Sequence, residues 1–240
     1  EFMNELIWSN LAKAQEKYGQ EICSITGMPN HFHLDLRCTD PETTPLFIGY
    51  FKQEVAHAVN RLLGRRRKTV WVEGYDSPIV LDVKAFLKSC AYDLLNPVKD
   101  KLVSHMELFK GVSSYKLLMK GKTYRECKVI SRDSIPKINN PDTPEEENYS
   151  IIRFLKKSNK KKITFKLNFT SWKYAFNETE DISDKEAYEM LLEAIREEEK
   201  RLEEELDIKP GAYKPSKVQS MLQKYTPKKF GKKMICLSSS

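Results

Sequence analysis

Four residues of this chain have side chains and spacings from which chemistry can be built: His31, His33, Tyr92 and Asn96. The histidines open the second half of Met28-Pro29-Asn30-His31-Phe32-His33-Leu34-Asp35-Leu36-Arg37. From His31 this run alternates, with Phe32, Leu34 and Leu36 apolar and His31, His33, Asp35 and Arg37 polar. A period of two is the pattern of a half-buried strand. His31 and His33 then share the solvent-side face, where two imidazoles at i, i+2 are within reach of one divalent metal or one phosphate. An ordinary strand also carries two histidines by chance, so the pair alone decides nothing. Asp35 shares their face, either as a partner that orients an imidazole or as a plain exposed residue.

Tyr92 and Asn96 are placed by helical counting. Val83, Phe86, Leu87, Cys90, Ala91 and Leu94 recur at i, i+3, i+4, i+7, i+8 and i+11, and make one apolar face over 82–96. At about 100° per residue, Tyr92 falls roughly opposite the centre of that face. Asn96 lies one turn further on the same side. The result is a phenol held outward with an amide beside it. A lone outward tyrosine is equally a surface residue packed on a loop. The helix is expected to close at Asn96, because Pro97 follows and the residue before proline avoids the helical region.

The elements that must position these groups are legible in part. Residues 4–18 have helical spacing at Ile7, Leu11, Ala14 and Tyr18, with Gly19 as the stop. Residues 21–26 and 31–37 are expected to be strands joined by Gly27-Met28-Pro29-Asn30. A second helix over 44–63 has a stripe of Phe47, Tyr50, Phe51, Val55, Ala58 and Leu62 and ends at Gly64. Arg65-Arg66-Arg67-Lys68 follows, then an expected short strand Thr69-Val70-Trp71-Val72. The basic run is a solvated turn or, beside an aromatic strand, a phosphate contact.

Beyond this the patterning changes. Residues 104–125 hold a possible helix, and 131–148, rich in proline and glutamate, are expected to be a linker or long loop. Residues 162–170 alternate as a strand. Ser183 and Glu186 form a capping box that opens a charged helix over 184–207. The tail from Lys209 mixes lysines with Tyr213, Tyr225 and Phe230, a composition suited to a solubilising tail or to nucleic-acid contact. The expected organisation is a domain over 1–125, a linker over 126–148 and an extension over 149–240.

Composition bounds the function. The 240 residues carry 41 Lys and Arg against 34 Asp and Glu, a net charge of +7, which suits a polyanionic partner. Five cysteines are scattered and never spaced C-x-x-C. That argues against a disulfide framework and a thiolate zinc site and leads to a reducing, cytoplasmic setting as the expectation. No apolar run approaches the roughly 20 residues of a membrane span, so no membrane partner is expected.

Taken in order, these pieces resemble the single-tyrosine HUH transposases, in particular the REP-associated tyrosine transposases of the insertion sequence 200-like group. The matching residues are Met28-Pro29-Asn30-His31-Phe32-His33-Leu34, then Trp71-Val72-Glu73-Gly74-Tyr75-Asp76, then Tyr92-Asp93-Leu94-Leu95-Asn96-Pro97-Val98-Lys99, with Gly111-Val112-Ser113-Ser114-Tyr115 similar to a segment that follows. The resemblance covers about residues 4–118. It implies an α+β fold, with a ferredoxin-like or RRM-like antiparallel sheet and helices on one face. Members begin with a strand before the first helix, for which residues 1–3 leave no room, so an N-terminally truncated chain is the expectation.

The resemblance also implies a reaction. His31, His33 and Asn96 would be ligands of a divalent metal, Mg²⁺ or Mn²⁺, that polarises a scissile phosphate. Tyr92 would be the nucleophile, leaving a 5′-phosphotyrosine and a free 3′ hydroxyl. The substrate would be single-stranded DNA cleaved near a hairpin, with Arg65, Arg66, Arg67, Lys68, Lys99 and Lys101 as phosphate contacts. The chain would act as a monomer or homodimer. A binding module on the same sheet that has lost catalysis is the competing reading, and a replication or conjugation nickase fits the Asn-Pro-Val-Lys context poorly. His57 and His105 match no motif and are taken as structural.

Overall fold

The computed structural model describes residues 2–64, 68–131, 133, 135, 161–205 and the backbone of 236–237. The fold is mixed α+β, and its described strands pair two by two. The chain divides into two compact units, each drawn from several stretches of sequence. Among the described residues no helix is long and apolar enough to cross a membrane.

The first unit comprises residues 1–20, 38–74 and 124–166. Its helices are α1 (Phe2–Tyr18) and α2 (Thr43–Leu62), and its strands β4 (Tyr124–Lys128) and β5 (Lys162–Lys166) pair antiparallel. The apolar side of α1 packs on both α2 and the strand pair. Leu6, Leu11 and Ala14 are buried, Trp8 meets Phe165 at 5.1 Å, and Phe2 and Leu6 join Ala58, Leu62, Ile130 and Ile135. The Gln15 amide lies along the edge of β5, donating to Lys166 O at 2.9 Å and accepting from Lys166 N at 2.8 Å. Both helices stop where glycine takes a left-handed turn, at Gly19 (φ +67) and Gly64 (φ +60).

Residues 69–72 are not a strand, contrary to the sequence expectation. Helix α2 takes their polar groups instead. Trp71 Nε1 donates to Lys52 O at 2.8 Å, and Lys52 Nζ donates to Val72 O at 3.2 Å and Gly74 O at 2.6 Å. An indole packed on Phe51, at 6.2 Å, anchors the segment as a loop.

The second unit comprises residues 21–37, 75–123 and 167 onward. Strands β1 (Glu21–Gly27) and β2 (Phe32–Arg37) form an antiparallel hairpin whose register shifts between Ile22 and Ser24. After that irregularity Ser24 lies opposite Asp35 and Thr26 opposite His33. Strand β3 (Ile79–Val80) pairs parallel with β6 (Cys236–Leu237). Helix α3 (Val83–Lys99) packs against the hairpin, and the Asp82 carboxylate caps it by accepting from Ala85 N at 2.8 Å.

Helix α5 (Asp184–Glu205) lies along α3 and opens with the expected capping box. Glu186 N donates to Ser183 Oγ and Ser183 N to Glu186 Oε2, each at 3.1 Å. Phe86 of α3 stacks on Trp172 with centroids 5.7 Å apart. A short helix α4 (Tyr115–Leu118) follows the Gly111–Ser114 segment, which braces β1 from its free side. Ser114 N donates to Ile25 O at 2.9 Å, Ile25 N donates to Ser114 Oγ at 3.0 Å, and Thr26 bridges to Ser113.

Helix α3 does not close at Asn96; Pro97 lies inside its last turn. A proline so near the end removes a single backbone donor. The turn is closed from downstream by Asp100 N on Asn96 O at 2.8 Å, Lys101 N on Val98 O at 2.8 Å and Leu102 N on Pro97 O at 2.9 Å. Lys101 takes the left-handed conformation that this closure requires, at φ +56.

Candidate active site

The hairpin and α3 bring His31, His33 and Asn96 together. His31 Nε2 lies 2.9 Å from His33 Nε2, and the Asn96 side-chain nitrogen lies 2.7 Å from the same His33 atom. Each imidazole is held from behind through its other nitrogen. Asp93 Oδ1 is 2.8 Å from His33 Nδ1, and Asn30 Oδ1 is 2.7 Å from His31 Nδ1. Both oxygens are acceptors, so each neutral ring takes the tautomer with hydrogen on Nδ1. The two Nε2 lone pairs then face one another, a contact that a shared proton or a cation relieves.

Charge around the two rings divides them. Burial pushes the His31 pKa down and the neighbouring His33 pushes it further, against partial opposition from Asp100 and Asp93. Burial also acts to lower His33, but the Asp93 hydrogen bond and charge, with Asp35 and Asp100 behind them, outweigh it and raise the value. His33 is therefore the more basic of the two rings.

Asp35 takes neither of the roles foreseen for it. Its carboxyl is half-buried and hydrogen-bonded to the Ser24 hydroxyl and the Cys90 thiol. Burial first and the nearby Asp93 charge second raise its pKa. The carboxylate that orients an imidazole is Asp93, from the helix rather than the strand. Sequence spacing held a signal for it: Asp93, Asn96 and Asp100 stand at i, i+3, i+7 and form one row along α3.

Tyr92 is half-buried, and its hydroxyl is engaged by the Lys99 ammonium rather than by an imidazole. Tyr92, Asn96 and Lys99 make a second row on α3, so Asn96 stands between the phenol side and the histidine side. Among the basic candidates, Lys99 is thus paired with Tyr92, Lys101 is exposed at the end of α3, and Lys68 is exposed in the first unit. Arg65, Arg66 and Arg67 lie outside the described residues. His57 and His105 are both exposed.

The donor set suits a small divalent ion. Two Nε2 atoms and a side-chain amide converge on one point, and the carboxylate behind His33 raises its basicity as a ligand. Asn96 would present oxygen after a half-turn of its amide. Among the described residues no group of three or more His, Cys, Asp or Glu side chains could hold a metal ion, so the amide is needed to complete a set of three.

Residues 1–89 match a family model described as transposase IS200 like. That stretch of the chain is similar to the IS200-like transposase family. The matched stretch includes both histidines and ends before Tyr92 and Asn96. No curated protein and no solved structure matches the chain.

Proposed function

We propose that the chain is a metal-dependent single-stranded DNA endonuclease and strand transferase of the HUH single-tyrosine type, cleaving near hairpins through a 5′-phosphotyrosine. The convergence of His31 Nε2, His33 Nε2 and the Asn96 amide carries the reading. His31, His33 and Asn96 would hold Mg²⁺ or Mn²⁺, with imidazole favouring Mn²⁺. The ion would neutralise charge on the non-bridging oxygens of the scissile phosphate.

The chain's own groups do the rest. Asp93 and Asn30 hold both rings through Nδ1 and leave the two Nε2 lone pairs facing one another. Tyr92 supplies the nucleophile: its oxygen bonds phosphorus as the P–O3′ bond breaks, the phenol proton passes to water, and the departing 3′ oxygen takes one up. The phosphotyrosine conserves the bond energy for rejoining. The ferredoxin-like sheet, and phosphate contacts from Arg65, Arg66, Arg67, Lys68 and Lys101, belong to the same proposal.

A binding module without cleavage is the second reading. It is favoured by the end of the family match at residue 89, short of the nucleophile. The test is incubation with hairpin single-stranded DNA and Mn²⁺, followed by a denaturing gel. The expected result is a covalent adduct that is lost in Tyr92→Phe and in His31→Ala. DNA binding with no adduct across varied hairpins supports the second reading, and an adduct in Tyr92→Phe overturns the nucleophile.

A further inference from the structure

Lys99 stands seven residues beyond Tyr92 on α3. Seven steps of about 100° return almost to the same side of a helix, two turns along. The Lys99 ammonium donates to the Tyr92 hydroxyl oxygen, and its Nζ lies 3.9 Å from the centroid of the same ring. The charged nitrogen therefore engages the hydroxyl oxygen at the rim of the ring. Among the described residues the Tyr92 hydroxyl makes no other hydrogen bond. Asp100, the next residue, is close enough to His31 to act on its charge. The last two turns of α3 thus carry the phenol, the amide and the ammonium to the end of the helix that meets the imidazoles.

Lys99 is among the expected phosphate contacts. A lysine in that role extends into solvent; this one is half-buried and turned back along its own helix. We propose that Lys99 is the positioning residue for the Tyr92 phenol, fixing the attacking oxygen for its reaction with the scissile phosphate. The inference rests on the function proposed above. Lys99 forms no bond and exchanges no proton in that step. It restricts the two side-chain torsions of Tyr92 and keeps a cation beside the oxygen that becomes bonded to an anionic phosphate. An ammonium has three donors on one nitrogen, so it can hold the phenol oxygen and still donate to a phosphate oxygen.

The test separates rate from affinity. Adduct formation is followed in a single turnover at saturating hairpin DNA with Mn²⁺, and affinity is measured separately by fluorescence anisotropy across a salt series. Lys99→Met is expected to slow the saturated rate by about 10- to 100-fold, the scale of a misplaced reacting group. Lys99→Arg restores much of the rate. Lys88→Met, which removes an exposed charge from the same helix, matches the unsubstituted protein.

A mere phosphate contact would weaken binding and flatten its salt dependence while leaving the saturated rate alone. A Lys99→Met rate within about twofold of the parent overturns the proposal and leaves the cleavage reading standing. A second measurement needs no DNA: the ¹⁵Nζ resonance of Lys99 is expected to move in Tyr92→Phe, and an unmoved resonance overturns the contact itself. Absence of any adduct in the unsubstituted protein overturns the cleavage reading and takes this proposal with it.

Discussion

Asp93 Oδ1 lies 2.8 Å from His33 Nδ1, and the two residues come from different elements, α3 and β2. The contact does two things at once. It directs the other nitrogen of His33 toward His31 and Asn96, and it raises the affinity of the ring for a proton against the opposing effect of burial. The same helix therefore supplies both the amide that meets the site and the carboxylate that orients it.

Asp93→Asn is expected to lower the His33 pKa. Because the folded value is raised above about 6.5 for an unfolded histidine, the pairing adds stability that is present in full below that pH. The gain is lost as pH rises through the folded value. Urea unfolding of the parent and Asp93→Asn across a pH series should show a gap that is widest at low pH and then narrows. Histidine ring NMR should show the His33 titration moving down. A gap that does not vary with pH would remove the ion pair from the account.

Mn²⁺ should stabilise the protein against heat if the three-donor set holds it. A ligand at about 100 times its dissociation constant adds about 2.7 kcal/mol. Differential scanning fluorimetry should record an upward Tm shift that is abolished in the His31→Ala/His33→Ala double variant and reduced in Asn96→Ala. An undiminished shift in the double variant would place the ion elsewhere.

Ser114→Ala tests the brace on the histidine hairpin. The Ser114 hydroxyl accepts from the buried Ile25 amide at 3.0 Å, and alanine leaves that donor without its partner. The expected cost is about 1–3 kcal/mol in denaturant unfolding. Stability equal to the parent would show that the amide finds another acceptor.

Cysteine reactivity reports the burial of the hairpin and α3, through Cys23 and Cys90, and of β4, through Cys127. Cys38 is exposed, whereas Cys23, Cys90 and Cys127 are buried. Burial pushes the Cys23 thiol up to about 12 and the Cys127 thiol up to about 11, and raises Cys90 as well. In a Cys236→Ser background, a maleimide reagent monitored by mass spectrometry should add once quickly at pH 7. Three further additions should appear only with unfolding. Fast labelling at Cys90 would mean that α3 does not seal the hairpin.

Much of the frame was legible because it depends on local geometry. Apolar spacing located α1, α2, α3 and α5, and glycines marked the ends of α1 and α2. Alternation located the second strand of the hairpin. Counting along one helix placed Tyr92 and Asn96 on one side, and Lys99 follows in the same row. Residues 69–72 misled because β-branched and aromatic composition describes a half-buried surface, and a loop anchored on α2 by Trp71 meets that description equally well. Pro97 misled because the pre-proline restriction is only a local preference, and here it is outweighed by the hydrogen bonds that close the last turn.

What the sequence by itself determined, then, was the set of groups and the elements that carry them: two imidazoles on one strand, and a phenol and an amide on one helix. Only the tertiary structure decided their partners. The irregularity between Ile22 and Ser24 sets which β1 residues oppose Asp35 and His33. The docking of α3 chooses Asp93, not Asp35, as the carboxylate at His33. The side-chain conformation of Lys99 turns its charge from solvent to Tyr92. Spacing along one element follows from backbone geometry, whereas a contact across elements depends on register, packing and side-chain torsions, and these are settled by the whole fold.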